Sequence, residues 1–300
     1  MIFYRKLLVY SLGINLIIGC SNNSSENYTD EIKGIQVDLD TIIDGRVSKS
    51  ILKSIPTPVE INTYILESQA KYHKDMLSDV DDADEYLSTH KKSLNLGVYS
   101  ADMAYINLHK KYRDAFSYFS AVRSLTSDLN ISTLFDLQKL KYYAENMHDN
   151  DSLIFVLSKD FDFMVSYLNE NNKSDVAVLM ITGGFIESLH IAVSVYGQTG
   201  NKKLEEKIIE QKLVISDIIS VIKPFAKDKI FIELLNDLKD LEKAYSSVSI
   251  NRSHGEASFH EEDGALVIDD TSESSLEYSQ EQLETIIEKI KKIRSDIITI

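Results

Sequence analysis

The stretch SDVAVLMITGGFIESLHIAVSV, residues 174–195, decides the fold expected for this chain of 300 residues. Apolar side chains lie nearly all round the helix that it predicts, and a helix of that kind is central in its domain. Gly183 and Gly184 lie inside it, where two glycines cost about 2 kcal/mol relative to two alanines. Close approach of a neighbouring helix or a kink would offset this cost. A phosphate-binding loop is excluded, because there is no GxxxxGK[ST] pattern and no preceding strand.

Glu187 and His190 lie three residues apart in this stretch, so both project from one side of the helix. Glu-x-x-His supplies metal ligands in ferritin-like bundles. A second copy, Glu145 to His148, falls at a predicted helix end beside polar residues, where it should be solvated. The helix between the two copies has no clear mid-helix glutamate. A di-metal site is therefore disfavoured, and we assign no metal ligands.

The clearest apolar stripe runs from Leu94 to Val122 and predicts one helix over about 94–129. Its polar residues lie on adjoining faces, and four of them are of interest: Tyr99, Asp102, Tyr105 and His109. If this helix packs on the 174–197 helix, these groups could face Glu187 and His190. The result would be either a small-ligand or metal site or a hydrogen-bonded network in the core. The absence of ligand spacing favours the network.

Local signals predict the remaining elements. Thr57-Pro58-Val59-Glu60 is a capping box that begins a helix reaching about residue 77, and Ser279 to Gln282 is a second one that begins a last helix over about 279–298. Asp263-Gly264 predicts a β-hairpin over about 256–270. Further helices are expected near 132–147, 151–169, 201–222 and 228–247. The fold class is therefore all-α, an antiparallel bundle or helical superhelix of about seven or eight helices over residues 35–300.

The N-terminal sequence MIFYRKLLVYSLGINLIIGC predicts export. Arg5 and Lys6 precede an apolar run that is too short to span a bilayer comfortably. Its end, LIIGC, resembles the lipobox of bacterial lipoproteins. The resemblance implies that residues 1–19 are removed and that Cys20 is acylated. Residues 20–34 are polar and read as a flexible tether. The alternative is an ordinary secretory signal with a chance cysteine. Ser21 follows Cys20 at the position where an aspartate would retain some lipoproteins at the inner membrane. By analogy with those lipoproteins, the serine favours the outer membrane.

Composition narrows the classes of function. Cys20 is the only cysteine, so the chain has no intramolecular disulfide and no cysteine-based metal site. A formal net charge of −15 argues against nucleic-acid partners and against electrostatic adhesion to anionic lipids. No further membrane-spanning segment is expected after Cys20. We found no G-x-S-x-G or H-E-x-x-H motif, and we assign no catalytic residue and no cofactor.

Three segments, IPTPVEI (55–61), LNLGVYSADMAY (94–105) and GGFIESLHIA (183–192), resemble a group of uncharacterised helical lipoproteins of Bacteroidota-type bacteria. The resemblance covers most of residues 50–300; it implies a fold and a location, and it transfers neither an activity nor catalytic residues to this chain. We therefore expect a cell-envelope protein held in the membrane by its N-terminal lipid, acting as a binding or assembly module for an envelope protein partner. The alternative is a ligand- or metal-binding protein, enzymatic or not, with its site between the 94–129 and 174–197 helices.

Overall fold

Helices make up most of the chain in the computed structural model, which describes residues 51–52, 54–132, 138, 142, 150–252, 257–262, 265–270 and 274–300. All of these belong to one compact unit, Asp44–Ile300. The described residues form nine α-helices: α1 Pro58–Glu67, α2 Thr89–Leu108, α3 Tyr112–Asp128, α4 Asn150–Glu170, α5 Ser174–Thr199, α6 Lys202–Glu210, α7 Lys212–Ile222, α8 Lys229–Tyr245 and α9 Gln280–Ile298. The predicted all-α class is confirmed. The predicted signal peptide, Cys20 and the predicted tether lie outside the described residues.

Helix α5 is the centre of the fold. It packs most extensively on α2 and also contacts α1, α4, α6, α7 and α9. Every residue from Val176 to Leu189 is buried. The expectation of no membrane-length segment after Cys20 was wrong in one respect, since α5 is long and apolar enough to cross a membrane. Its most apolar window is 94% buried inside the protein, so neighbouring helices cover the surface that made it look like a span.

Three glycines bring the backbones of α2 and α5 into contact. A Cβ added to Gly183 would lie 2.0 Å from the Leu94 carbonyl oxygen, and one added to Gly97 would lie 1.9 Å from the Met180 carbonyl oxygen. A Cβ on Gly184 would lie 2.8 Å from the Pro58 ring of α1. The helices therefore use the glycines for close approach. The packing gained at this contact offsets their unfavourable helix propensity.

The single helix predicted over 94–129 is wrong, because the chain breaks between α2 and α3. Lys110 adopts a left-handed conformation with φ 56°, and the Lys111 N–H donates to the Ile106 carbonyl at 3.0 Å. This pattern is the Schellman motif of a helix C-terminus, in which glycine usually occupies the left-handed position. Asn130 ends α3 in the same way, with the Ile131 N–H donating to the Thr126 carbonyl. The apolar residues before and after the break still meet, because α3 packs against α2.

The first helix is also shorter than predicted. The capping box at Thr57 is confirmed, but α1 ends at Glu67 instead of near residue 77, and Gln69 is left-handed with φ 57°. Residues 69–88, here called the strap, then run to α2 with two short 3-10 turns, Lys74–Met76 and Val80–Asp84. The connection between the first two helices is therefore longer than the predicted bounds imply.

The other predicted helices differ in smaller ways. Helices α4, α5 and α8 fall within two residues of the expected bounds. The helix expected over 201–222 is divided at Gln211 into α6 and α7. The helix expected over 132–147 lies almost entirely outside the described residues.

A small antiparallel hairpin precedes the last helix, as predicted. Strand β2, Ala257–Glu262, pairs with β3, Ala265–Asp270, with Glu262 opposite Ala265. Asp263 and Gly264, on which the hairpin prediction rested, lie between the paired strands in the sequence and outside the described residues. A second pair was not predicted: β1, Ser249–Arg252, pairs with β4, Ser274–Glu277. Together the two pairs occupy most of the segment between α8 and α9.

Helix α9 is held at both ends. Its capping box at Ser279 is confirmed. At its C-terminus the Lys91 ammonium donates to the carbonyls of Asp296 at 2.8 Å and Thr299 at 2.6 Å, and the Tyr86 hydroxyl donates to the Ile298 carbonyl at 3.1 Å. These donors satisfy carbonyls that a helix end leaves without intrahelical partners. They also set the position of the last turn of α9 against α2 and the strap.

Candidate functional site

A buried ion pair joins α5 to α9. Glu187 is fully buried, and Arg294 donates to it through Nε at 2.9 Å and Nη2 at 3.2 Å. Both carboxylate oxygens therefore accept from one guanidinium, the geometry that makes arginine–carboxylate pairs strong. Arg294 reaches the core because it lies one helical turn after Ile290, a buried residue of α9.

Ser78 of the strap connects this pair to Asp102 of α2. Arg294 Nη2 donates to Ser78 Oγ at 3.0 Å, and the Ser78 N–H donates to Asp102 Oδ2 at 3.0 Å. The Tyr118 hydroxyl of α3 donates to the Ser78 carbonyl at 2.7 Å. We call Ser78, Asp102, Glu187 and Arg294 the carboxylate–arginine cluster. It ties α2, α5, α9 and the strap together in the core.

The tyrosines singled out in the sequence also hold the strap. The Tyr99 hydroxyl donates to the Asp79 carbonyl, and the Tyr105 hydroxyl accepts from the His73 N–H at 3.1 Å. An irregular segment lacks the repeated backbone hydrogen bonds of a helix, so its polar groups need other partners. Here tyrosines of α2 provide several of them, while their rings are buried in the core.

His109 was among the groups that could face Glu187 and His190, but the structure places it apart from the cluster, beside Tyr105 and Tyr72. Because α2 ends at Leu108, His109 is the residue that caps it. Its ring lies 4.5 Å from Tyr105 and 5.8 Å from Tyr72 between centroids. Its Nε2 is buried and has no hydrogen-bond partner among the described residues. Burial, with the positive charge of Lys111, lowers the pKa of His109 and favours the neutral ring.

His190 lies one turn beyond Glu187, near the strap. Its ring hydrogen-bonds to the backbone of Met76, and its Nδ1 is buried without a partner in the described chain. Burial lowers the pKa of His190, and the nearby Glu187 charge opposes that shift only in part. Neutral His190 therefore contributes a hydrogen bond to the strap and no positive charge to the cluster.

The cluster holds more negative than positive groups. Asp102 is fully buried beside the Glu187 carboxyl, and its Oδ1 has no hydrogen-bond donor among the described residues. Burial raises the pKa of Asp102 well above the usual range, and the Glu187 charge raises it further. The Ser78 N–H and Arg294 oppose this rise without cancelling it. The arrangement can bind a proton and can hold the strap; among the described residues, no group of three or more His, Cys, Asp or Glu is placed to hold a metal ion.

Sequence reasoning missed two members of this cluster, Ser78 and Arg294. A signal for Arg294 was present: it is the one arginine in the last helix, beside Lys289, Lys291 and Lys292, and it borders the isoleucine stripe. Arginine is the cation suited to a buried bidentate pair. Ser78 carried no comparable signal, since its role comes from the path of the strap.

Some residues that the sequence singled out lie outside the part of the chain that the structure describes. Glu145 and His148 lie outside the described residues, as does the lipidation candidate Cys20.

Comparison of the chain with protein-family models, with curated proteins and with solved structures found no match in any of the three.

Proposed function

We propose that this chain is a lipid-anchored protein of the cell envelope, with the outer membrane as the favoured location, and that it acts as a binding or assembly module. The lipobox-like LIIGC ending at Cys20 and the polar segment 20–34 support the anchor. Two acyl chains suffice for stable anchoring, since each buried CH₂ contributes about 0.8 kcal/mol.

The observation that most favours a binding module is an outward-facing aromatic stripe on α4. The opposite face of α4 is buried through Leu153, Leu157 and Leu168. Phe155 and Phe163 are 63% and 61% exposed and lie two helical turns apart, with Lys159 between them and its Nζ 5.8 Å from the Phe155 ring centroid. Exposed aromatic side chains with a neighbouring cation resemble the anchor residues of protein interfaces. By contrast, Asp102 and Glu187 are enclosed and hydrogen-bonded within the core.

The anchor is tested by metabolic labelling with palmitate. Cys20→Ala is expected to abolish labelling and to move the protein from the membrane fraction to the soluble fraction, because the thioether has no other cysteine on which to form. Ser21→Ala is the matched control and is expected to label like the parent protein. Label retained by Cys20→Ala would remove the anchoring premise.

The binding role is tested by affinity purification of the lipidated protein from detergent-solubilised envelopes, with mass spectrometry. The double variant Phe155→Ser/Phe163→Ser is expected to recover at least about tenfold less of a specific partner, as for the loss of interface anchor residues. Leu213→Ser, at an exposed leucine of α7, is the control and is expected to recover the same amount as the parent. Equal recovery by the double variant would contradict a binding surface on α4.

A further inference from the structure

We propose that Asp102 keeps a proton in the folded chain and shares it with Glu187, and that loss of this proton loosens the strap. The starting point is an unsatisfied atom. Asp102 Oδ2 accepts from the Ser78 N–H, but Oδ1 is buried and has no hydrogen-bond donor among the described residues, and the Glu187 carboxyl is the side-chain neighbour of Asp102. A buried carboxylate oxygen without a donor is costly, whereas a protonated carboxyl is itself a donor.

A proton on Oδ1 of Asp102 would complete the hydrogen bonding of the cluster. Glu187 already accepts two bonds from Arg294 at 2.9 and 3.2 Å. Each carboxylate oxygen has capacity for a further bond, so Glu187 can accept the Asp102 O–H as well. The same proton leaves one carboxylate opposite one guanidinium. Without it, two buried carboxylates would face a single positive charge, a case in which one of the two pKa values rises strongly.

Among the described residues, Arg294 is the cation that acts on the pKa of Asp102. Helix α5 presents Glu187 and His190, and neutral His190 adds none. Burial raises the pKa of the nearby tyrosines, which keeps them neutral donors: Tyr86, Tyr99 and Tyr118. The strap adds further negative charge close by, at Asp79 and Asp82. Arg294 of α9 and the more distant Lys291 are the cations that act on this group of residues.

The strap is the part that can yield when the proton leaves. Ser78 donates its N–H to Asp102, accepts from Arg294 at Oγ and accepts from the Tyr118 hydroxyl at its carbonyl, so the middle of the strap is bonded to α2, α9 and α3. The strap has only two short 3-10 turns of its own. If the strap lifted, water would reach the newly charged Asp102. If α2 and α5 separated instead, the backbone contact at their glycines would be lost. Release of the strap is therefore the less costly response.

The sign of the pH dependence follows from the raised pKa of Asp102. In the unfolded chain Asp102 releases its proton near the ordinary value of about 4. The folded chain holds the proton to higher pH. Between the ordinary pKa and the raised pKa, the folded chain therefore binds more protons than the unfolded chain. The stability from this proton is fully present below the ordinary value and is lost as pH rises towards the raised one. The unfolding constant attributable to Asp102 then increases about tenfold per pH unit.

The test compares the full chain with Asp102→Asn from pH 5 to pH 8 by denaturant unfolding. Asparagine keeps the shape, donates to Glu187 and still accepts from Ser78, but it cannot titrate. The ratio of the parent unfolding constant to that of Asp102→Asn is expected to rise with pH, by about tenfold per pH unit for as long as the pH is below the raised pKa of Asp102. Asp114→Asn is the matched control: Asp114 bonds the strap through Lys74 and Tyr72, and its pKa is lowered, so its ratio is expected to stay flat. A flat ratio for Asp102→Asn would overturn the proposal.

Two further measurements test its parts separately. Hydrogen exchange of the strap amides, corrected for intrinsic rates, is expected to lose protection with rising pH in the parent and not in Asp102→Asn; equal behaviour would overturn the release of the strap. Infrared difference spectra with ¹³C-labelled aspartate are expected to show a protonated carboxylic acid in the parent protein at a pH above about 5, where an ordinary aspartate is ionised. Absence of that band would overturn the shared proton even if Asp102→Asn fails to fold.

Discussion

Gly183→Ala is expected to destabilise the protein by about 3 kcal/mol or more, because a methyl group there has no space. Its Cβ would lie 2.0 Å from the Leu94 carbonyl oxygen, well inside the 3.0 Å below which real Cβ atoms essentially never lie. The obstructing atom is backbone, so no rotamer change can relieve the clash. The α2 and α5 helices would have to separate, and the loss would spread along their whole contact. Denaturant unfolding followed by circular dichroism measures the change.

Gly197→Ala is the matched control in the same helix. Nothing lies within 4 Å of a Cβ built at Gly197, and its φ is not in the left-handed region. Alanine there is expected to stabilise the helix by up to about 1 kcal/mol, which is the ordinary propensity difference. A Gly183→Ala protein as stable as the parent would show that α2 and α5 are not in backbone contact.

Arg294→Met is expected to cost about 3–5 kcal/mol, because it leaves the buried Glu187 carboxylate without its partner. Methionine fills much of the space of the arginine stem, so the loss comes mainly from the charge and the three hydrogen bonds to Glu187 and Ser78. The measurement is again the free energy of unfolding at neutral pH. Strap amides are expected to lose hydrogen-exchange protection in the same variant, since Ser78 loses a donor.

Two variants make this result specific. Lys292→Met removes a cation from the same helix, but its side chain is 55% exposed and pairs with Asp237 and Asp296 at the surface, so a loss of no more than about 1 kcal/mol is expected. Adding Glu187→Gln to Arg294→Met is expected to recover part of the lost stability by removing the unpaired charge. If Lys292→Met and Arg294→Met cost the same, the Glu187–Arg294 pair does not stabilise the core.

Much of the fold was predictable because its signals are local. Capping boxes at Thr57 and Ser279 begin α1 and α9 where expected, and the predicted hairpin pairs the strands on either side of Asp263-Gly264 in the sequence. These features depend on residues three or four positions apart, whose interactions form within one turn of chain. The helix ends were less predictable. Lys110 and Asn130 take left-handed conformations that glycine usually marks, so the break after Leu108 had no clear sign in the sequence.

The site was only half predictable for a related reason. Asp102, Glu187 and His190 stood out as polar residues in apolar helices, and the buried helix α5 made their enclosure foreseeable. Their partners did not stand out, because Ser78 and Arg294 are 216 positions apart and meet only when α9 docks beside the strap. His109 lies away from the cluster because it comes seven residues after Asp102, about 10 Å farther along the helix axis.

By itself, the sequence determined the all-α class, the central helix around Gly183 and Gly184, the capped starts of α1 and α9 and the hairpin before α9. Each of these follows from local periodicity or from contacts within a few residues. Only the tertiary structure decided which backbone the glycines touch, where the long stripe breaks and which cation faces Glu187. Those outcomes depend on contacts between distant segments, whose free energy is realised only when the helices pack together.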